Sequence, residues 1–331
     1  MAAKRPVVRE CIRAAFAAPG CACYALREPL AGGPVQKSLD NLIALLDLEE
    51  LEVNIFRGHC TEGWQRVFGG QVLGQALVAA GRTVDEGVAH SFHAYFLRPG
   101  DSTIPILYDV DRTRDGRTFT TRRVTAIQHG HAIFHLEASF QRAEAGPEHQ
   151  DPMPDVPDPD SLPSWGERME PLASQPELVK RLAAQAPDRL KHWLATDRPI
   201  DIRHVTEFDP IAPEKLPARL QVWLRADGQL PDSTLLHQCV VAFASDMTLL
   251  DAAALPHGIA WADGKHMVAS LDHAIWFHRA FRADEWLLYD QQSPSAGGAR
   301  GFSTGRLFDR DGRLVVSVVQ EGLIRPIAKR R

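Results

Sequence analysis

The chain carries two versions of one sequence block, and this repetition limits its possible folds more than any other feature. Residues 270–281 read Ser-Leu-Asp-His-Ala-Ile-Trp-Phe-His-Arg-Ala-Phe, and residues 91–100 read Ser-Phe-His-Ala-Tyr-Phe-Leu-Arg-Pro-Gly. Setting His93 against His273 aligns a His-Ala pair, an apolar run and a basic residue. Downstream, Arg117-Thr-Phe-Thr-Thr-Arg-Arg parallels Arg300-Gly-Phe-Ser-Thr-Gly-Arg, and Gly130-His-Ala-Ile-Phe-His-Leu parallels Gly312-Arg-Leu-Val-Val-Ser-Val. Self-similarity over a domain length marks a duplicated unit. The chain of 331 residues therefore reads as two copies of one α+β unit, over 38–142 and 201–331. A linker with short helices (143–200) joins them, and a poorly ordered extension (1–37) precedes them.

Each copy has the same order of elements. In the first, Ser38 caps an amphipathic helix, and Leu51 to His59 alternates like a strand. Phe68-Gly-Gly-Gln-Val-Leu-Gly-Gln-Ala-Leu-Val-Ala-Ala-Gly81 then forms a helix without a polar face, which must be buried all round. Its glycines permit close backbone approach. Strands follow at about 89–98, 104–112, 117–128 and 131–141, with turn signals at Asp115-Gly116 and His129-Gly130. A sheet wrapped around one central helix buries such a helix. In the second copy, Ser233 or Asp232 caps an apolar helix from Leu235 to Met247. Strands at about 201–207 and 219–226 precede it, and others follow at 267–278, 285–292, 300–309 and 313–324. Between the copies, Pro- and Asp-rich residues 143–165 read as an extended, solvated linker. The capping box Ser174-Gln-Pro-Glu177 starts a helix towards Gln185, and a second short helix carries Leu190, Trp193 and Leu194.

Composition removes several classes of function. The net charge is −5 and there is no long basic run, which argues against a nucleic-acid partner. No apolar run approaches the roughly 18 residues of a membrane helix. Five scattered cysteines (Cys11, Cys21, Cys23, Cys60 and Cys239) form no zinc pattern and read as reduced thiols. His129, His131 and His135 could share a strand face, but no carboxylate or cysteine joins them, so no metal or other cofactor is expected. Gly301-Phe-Ser303-Thr-Gly305 matches a nucleophile elbow in spelling only. That motif needs a strand-to-helix turn, and here a strand continues.

Three polar residues stand out in apolar surroundings. Asp246 ends the second buried helix, where an unpaired carboxylate is costly. Ser270 opens the strand that carries His273, and Gln320 interrupts Val-Val-Ser-Val-Val-Gln. Each has a plain structural reading: a helix cap, a ladder cap, an amide on a sheet edge. Against the first copy, Asp246 aligns with Ala79, Ser270 with His90, and Gln320 with Ala138. One copy alone holds the constellation, as expected of a duplication that keeps one working site.

With these residues the chain resembles the type II acyl-CoA thioesterases, bacterial enzymes with peroxisomal relatives. The matching stretches are Val67-Phe-Gly-Gly-Gln-Val-Leu-Gly-Gln-Ala, His90-Ser-Phe-His-Ala-Tyr-Phe-Leu-Arg-Pro-Gly-Asp, Gln221-Val-Trp-Leu-Arg-Ala, Ala244-Ser-Asp246, Leu271-Asp-His-Ala-Ile-Trp-Phe-His-Arg and Val319-Gln320-Glu-Gly. The resemblance implies a double hotdog fold and hydrolysis of acyl-CoA to CoA and a fatty acid. It also implies a catalytic set of Asp246, Ser270 and Gln320, with Ser270 where the family has Thr or Ser. Direct attack of water is expected, Asp246 acting as base. For the oxyanion, backbone N–H groups at a helix start are candidates: Gly70 and Gln71, or the second helix start near Asp232. The alternatives are a hotdog-fold enoyl-CoA hydratase, which would need an Asp and a His acting on the acyl chain, and a non-catalytic acyl-CoA-binding protein. No His is evident beside Asp246 in the sequence. A homodimer or homotetramer is expected, because hotdog sheets present long edges. The chain ends in Lys-Arg-Arg without a Ser-Lys-Leu address, so a bacterial cytoplasmic enzyme is expected.

Overall fold

The glycine-rich apolar run is the axis of the first half. The structure is a computed structural model that describes residues 34–61, 66–175, 177, 179, 198–209, 213–259 and 265–327. The extension before residue 34, most of the helices expected over 177–194 and the basic C-terminus lie outside the described residues. Helix α1 (Pro34–Leu46) leads into a hairpin of β1 (Glu49–Glu52) and β2 (Ile55–Gly58), where one continuous strand was expected. Helix α2 (Gly69–Gly81) follows, and every residue from Gly70 to Ala80 is buried. Strands β3 (Val88–Phe96), β4 (Ile106–Asp115), β5 (Phe119–Gln128) and β6 (His131–Gln141) wrap around it. The β5–β6 turn takes positive φ at both His129 (50°) and Gly130 (72°), the two-residue hairpin geometry that matches strand twist.

The second half repeats this order with β7 (Ile200–His204), β8 (Arg219–Ala226) and α4 (Thr234–Ser245), then α5 (Asp251–Ala254), β9 (His266–Ser270), β10 (Asp272–Phe277), β11 (Leu287–Gly297), β12 (Arg300–Asp309) and β13 (Leu314–Pro326). Ser233 is the cap of α4: its hydroxyl accepts the Leu236 N–H at 3.3 Å. Asp232 instead pairs with Arg282. Helix α4 is also buried along most of its length. The two halves are tandem hotdog units, each a sheet curved over its own central helix.

Both halves share one antiparallel sheet of order β1-β2-β4-β5-β6-β3-β10-β13-β12-β11-β8-β7, with β9 pairing β13. The halves join where β3 meets β10, with His93 opposite Ala274 and Ala94 opposite His273. These are the two strands that carry the repeated His-Ala pair. The two histidines are not equivalent, however. His273 points inward and is fully buried, while His93 is exposed on the outer face and packs edge-on against Trp276 at 5.1 Å. Strand faces alternate residue by residue, so aligning His93 with His273 is out of phase by one. The helix alignment also shifts. Asp246 is the C-cap of α4, and the C-cap of α2 is Arg82, not Ala79.

The central helices pack against each other with opposite polarity. A Cβ at Gly70 would lie 2.3 Å from the Phe243 carbonyl oxygen, and one at Gly74 would lie 3.2 Å from that of Cys239. The first turn of α2 therefore abuts the last turn of α4. The linker is solvated only at first. From Met153 it lies on the second half, where Met153, Val156 and Leu162 pack against Trp223, Trp286, Leu288 and Phe308. Trp223 Nε1 donates to the Pro157 carbonyl at 2.9 Å. An exposed sheet face rich in Trp and Phe recruits the proline-rich strand as its cover, because burying it removes apolar area from water. A further helix, α3 (Trp165–Ala173), starts on a capping box of Ser164 and Glu167 within that segment.

Candidate active site

Asp246 closes α4 where it meets the start of α2. Its side chain is 4% exposed. Ser270 Oγ donates to Asp246 Oδ1 at 2.9 Å, and Gln320 Nε2 donates to the same oxygen at 2.5 Å. The backbone N–H of Gly70 donates to this carboxylate as well. The three residues singled out in the sequence thus meet around one oxygen. Burial pushes the Asp246 carboxyl up to about 6, and the bonds from Gln320, Ser270 and Gly70 oppose that rise. A carboxylate poised just below neutrality is ionised at pH 7 yet still basic enough to accept a proton.

The local sequence explains how each group arrives. Ser245 Oγ donates back to the Ala242 carbonyl at 3.0 Å, a bond that competes with the helix at its last turn. Ser270 depends on a strand break. Ala274 pairs with Val319 and Ser270 with Gly322, so four residues on one strand span three on the other. This one-residue bulge reverses the alternation of faces. His273, Ile275 and Phe277 face inward on β10, and the phase change at Leu271 lets Ser270 face inward too. The expected single strand over 267–278 would have turned Ser270 outward. Leu271 N–H donates to Glu321 O at 2.9 Å and Asp272 Oδ1 accepts the Glu321 N–H at 2.5 Å, which pins the break beside Gln320.

Gly70 and Gln71 occupy different positions at the start of α2. Gly70 faces the carboxylate. Gln71 donates its backbone N–H to Phe68 O at 3.1 Å and its side-chain Nε2 to His59 O at 3.0 Å, which ties the chain after β2 to the helix. Gly69 was not singled out in the sequence. A Cβ there would lie 2.5 Å from Asp246 Oδ2 and 3.1 Å from the Phe96 ring. The double glycine in Phe68-Gly-Gly was the available signal.

His273 was also missed, and it corrects the expectation that no His stands beside Asp246. Its Nδ1 lies 3.9 Å from Asp246 Oδ1. Its Nε2 meets Ser245 Oγ at 2.9 Å. Because that hydroxyl donates to Ala242 O, it accepts from His273, so the proton sits on Nε2 and Nδ1 presents a lone pair. Burial pushes this imidazole down to about 3, so it stays neutral. Its place on the apolar face was readable from period-two alternation with Ile275 and Phe277. Tyr289 completes the surround, donating its hydroxyl to Ser245 O at 3.2 Å.

The other motifs dissolve into structure. His129 pairs with Asp101 at 3.0 Å, and His135 meets Thr125 at 3.3 Å. Among the described residues no cluster of three or more His, Cys, Asp or Glu side chains is placed to hold a metal. Ser303 lies within β12, buried, with no helix following.

The fold is a double hotdog whose buried carboxylate accepts from a hydroxyl, an amide and a helix start, and comparison with known proteins places the chain in a class of thioester hydrolases. The model of the family "Acyl-CoA thioesterase" matches residues 190–323, and that of the "Acyl-CoA thioesterase N-terminal domain" matches residues 60–141. The chain is 43% identical over 285 residues to the human protein named acyl-coenzyme A thioesterase 8, covering 85% of this chain and 88% of that one. It is 40% identical over 289 residues to acyl-CoA thioesterase 2 of Haemophilus influenzae, covering 87% and 98%. Among solved structures, the acyl-CoA thioesterase II TesB2 of Mycobacterium marinum superposes with a TM-score of 0.69 at 46% identity, covering 87% and 99%. The chain belongs to the acyl-CoA thioesterase family, type II.

Proposed function

We propose that this protein hydrolyses acyl-CoA thioesters to CoA and the free fatty acid by direct attack of water, with Asp246 as the general base. The observation that carries this reading is the convergence of Ser270, Gln320 and Gly70 on one buried carboxylate. Water adds to the thioester carbonyl carbon and passes a proton to Asp246. The tetrahedral intermediate then collapses, the C–S bond breaks, and CoA leaves as a thiolate that recovers the proton. Ser270 and Gln320 hold the carboxylate and fix the line of attack. As the proton reaches Asp246, negative charge moves to the thioester oxygen. The positive end of α2 favours that charge through its dipole, while the Gly70 N–H stays on the carboxylate. The bonds Gln71 makes to Phe68 and His59 give it a supporting place, holding the loop after β2.

The relatives named as thioesterases favour hydrolysis over a silent binder, and also over the enoyl-CoA hydratase alternative. The test is free-thiol release from a ladder of acyl-CoAs by wild type and Gln320→Ala. Thiol release with a loss of about 10²-fold in the variant, the scale of misplacing a reacting group by about 1 Å, supports the reading. Full turnover by Gln320→Ala discards its assigned role, and no thiol release from any chain length discards the hydrolysis.

The pH profile follows from the same geometry. Activity requires ionised Asp246, so kcat/KM falls as pH drops below about 6, where burial has placed its carboxyl. A limb near 4 instead would mean that the base is an ordinary exposed carboxylate.

We also propose a homodimer or homotetramer acting in the bacterial cytoplasm. Free Cys60 and Cys239 suit a reducing compartment, and among the described residues no helix is long and apolar enough to cross a membrane. Light scattering at working concentration should give a multiple of the 36.7 kDa chain mass, and a monomer mass removes the oligomer.

A further inference from the structure

Behind Asp246 lie three polar side chains, and the far end of Gln320, to which the reaction above gives no task. Gln291 on β11, Ser303 on β12, Gln320 on β13 and His273 on β10 are all fully buried. Gln291 Nε2, Ser303 Oγ, Gln320 Oε1 and His273 Nδ1 each find no hydrogen-bond partner among the described residues. Buried polar groups are nearly always bonded, because an unmet one costs about 1–3 kcal/mol.

The four groups are neighbours. Ser303 pairs across the sheet with Gln320. Gln291 pairs with Gly305, two residues from Ser303 on the same face. His273 lies one step beyond the Ala274–Val319 pair, beside Gln320, and 3.9 Å from Asp246 Oδ1. Three of them are anchored at one end. Gln320 Nε2 holds Asp246, His273 Nε2 holds Ser245, and Gln291 Oε1 accepts from Thr248 Oγ1 at 3.0 Å in the turn after Asp246. Their free ends comprise two acceptors (Gln320 Oε1 and His273 Nδ1), one donor (Gln291 Nε2) and one hydroxyl that can do either. A molecule that both donates and accepts answers that set, and water is the one small enough. Polar cavities offering two to four partners hold water, whereas apolar ones stay dry.

We infer that Gln291, Ser303, Gln320 and His273 line a water-binding chamber behind Asp246, which supplies the attacking water from the protein side while bound acyl-CoA closes the front. This rests on Asp246 being the base. It makes Gln291, Ser303 and His273 positioning residues that act through held water.

The test uses the full-length protein with Ser303→Ala and Gln291→Leu. Ser303→Ala is the cleaner change, because its hydroxyl makes no bond to lose. Three quantities are read: kcat against KM for one acyl-CoA, the melting temperature, and the split between fatty acid and acyl hydroxamate at fixed hydroxylamine. Losing held water should lower kcat by about 10-fold or more, well within the range that misplacing a reactant spans. KM and Tm should hold, and the hydroxamate share should rise. The partition decides the matter. An unchanged hydroxamate share in both variants overturns the chamber, whether kcat is intact or falls along with Tm. Asp246→Asn run beside them separates the two failures. Turnover that survives in Asp246→Asn removes the base reading, whereas an inactive Asp246→Asn with an unchanged partition in the chamber variants removes the chamber alone.

Discussion

Asp246→Asn should lower kcat by about 10²-fold or more while making the folded protein more stable at pH 7. The loss follows from removing the base, a contribution typically of 10²–10⁴-fold. The gain in stability follows from linkage. Burial raises the Asp246 carboxyl from 3.8 to about 6, so the folded state binds a proton more tightly than the unfolded chain does. Stability contributed by this group is present below the unfolded value and is lost as pH rises from about 4 to about 6. A shift of about two units corresponds to roughly 3 kcal/mol at pH 7, as an order of magnitude. Asn avoids the buried charge and keeps an oxygen to accept from Ser270 and Gln320. Melting curves at pH 4 and pH 7 check the sign, since the advantage of Asn should shrink at the lower pH. An Asn variant that keeps its turnover, or that is less stable at pH 7, contradicts the picture of a buried charge held for catalysis.

Gly69→Ala should cost about as much activity through a single methyl group. The added Cβ would stand 2.5 Å from Asp246 Oδ2 and 3.1 Å from the Phe96 ring. Either the carboxylate or the helix start must move. Moving the carboxylate breaks its bonds to Ser270 and Gln320, and a displacement of 1 Å at a reacting group costs on the order of 10²-fold. Stability should change little by comparison. Overpacking costs about 1–3 kcal/mol, and Ala recovers about 1 kcal/mol of helix preference over Gly. The expected result is therefore a folded, cooperatively melting protein with low kcat. Full activity would show that the contact yields without disturbing the carboxylate. The comparison with Asp246→Asn is informative because the two variants reach the same carboxylate from opposite helices.

The two predictions also show how unevenly the molecule can be read from its residues. The buried helices, the antiparallel meanders and the duplication follow from periodicity and from the largely apolar character of 68–81 and 235–244. Those signals are local, and burial enforces them wherever the helix lies. Asp246, Ser270 and Gln320 were visible as polar residues in apolar runs, because a buried polar group needs a reason to be there. Their meeting was not visible, nor was the place of Gly69 or His273. Gly69 matters only because α2 and α4 run opposite ways, so that the start of one faces the end of the other. His273 matters only because β10 lies at the seam of the two half-sheets.

The sequence by itself determined which segments are buried, that the unit is repeated, and which copy holds the unusual polar residues. Tertiary structure decided which side chains face one another. The physical reason is the two-residue period of a strand. A single extra residue at Leu271 reverses every face before it, turning Ser270 inward towards Asp246, and nothing in the local pattern of 267–278 marks where that residue falls. Register is set by the partner strand, and the partner here is β13, more than forty residues further along the chain.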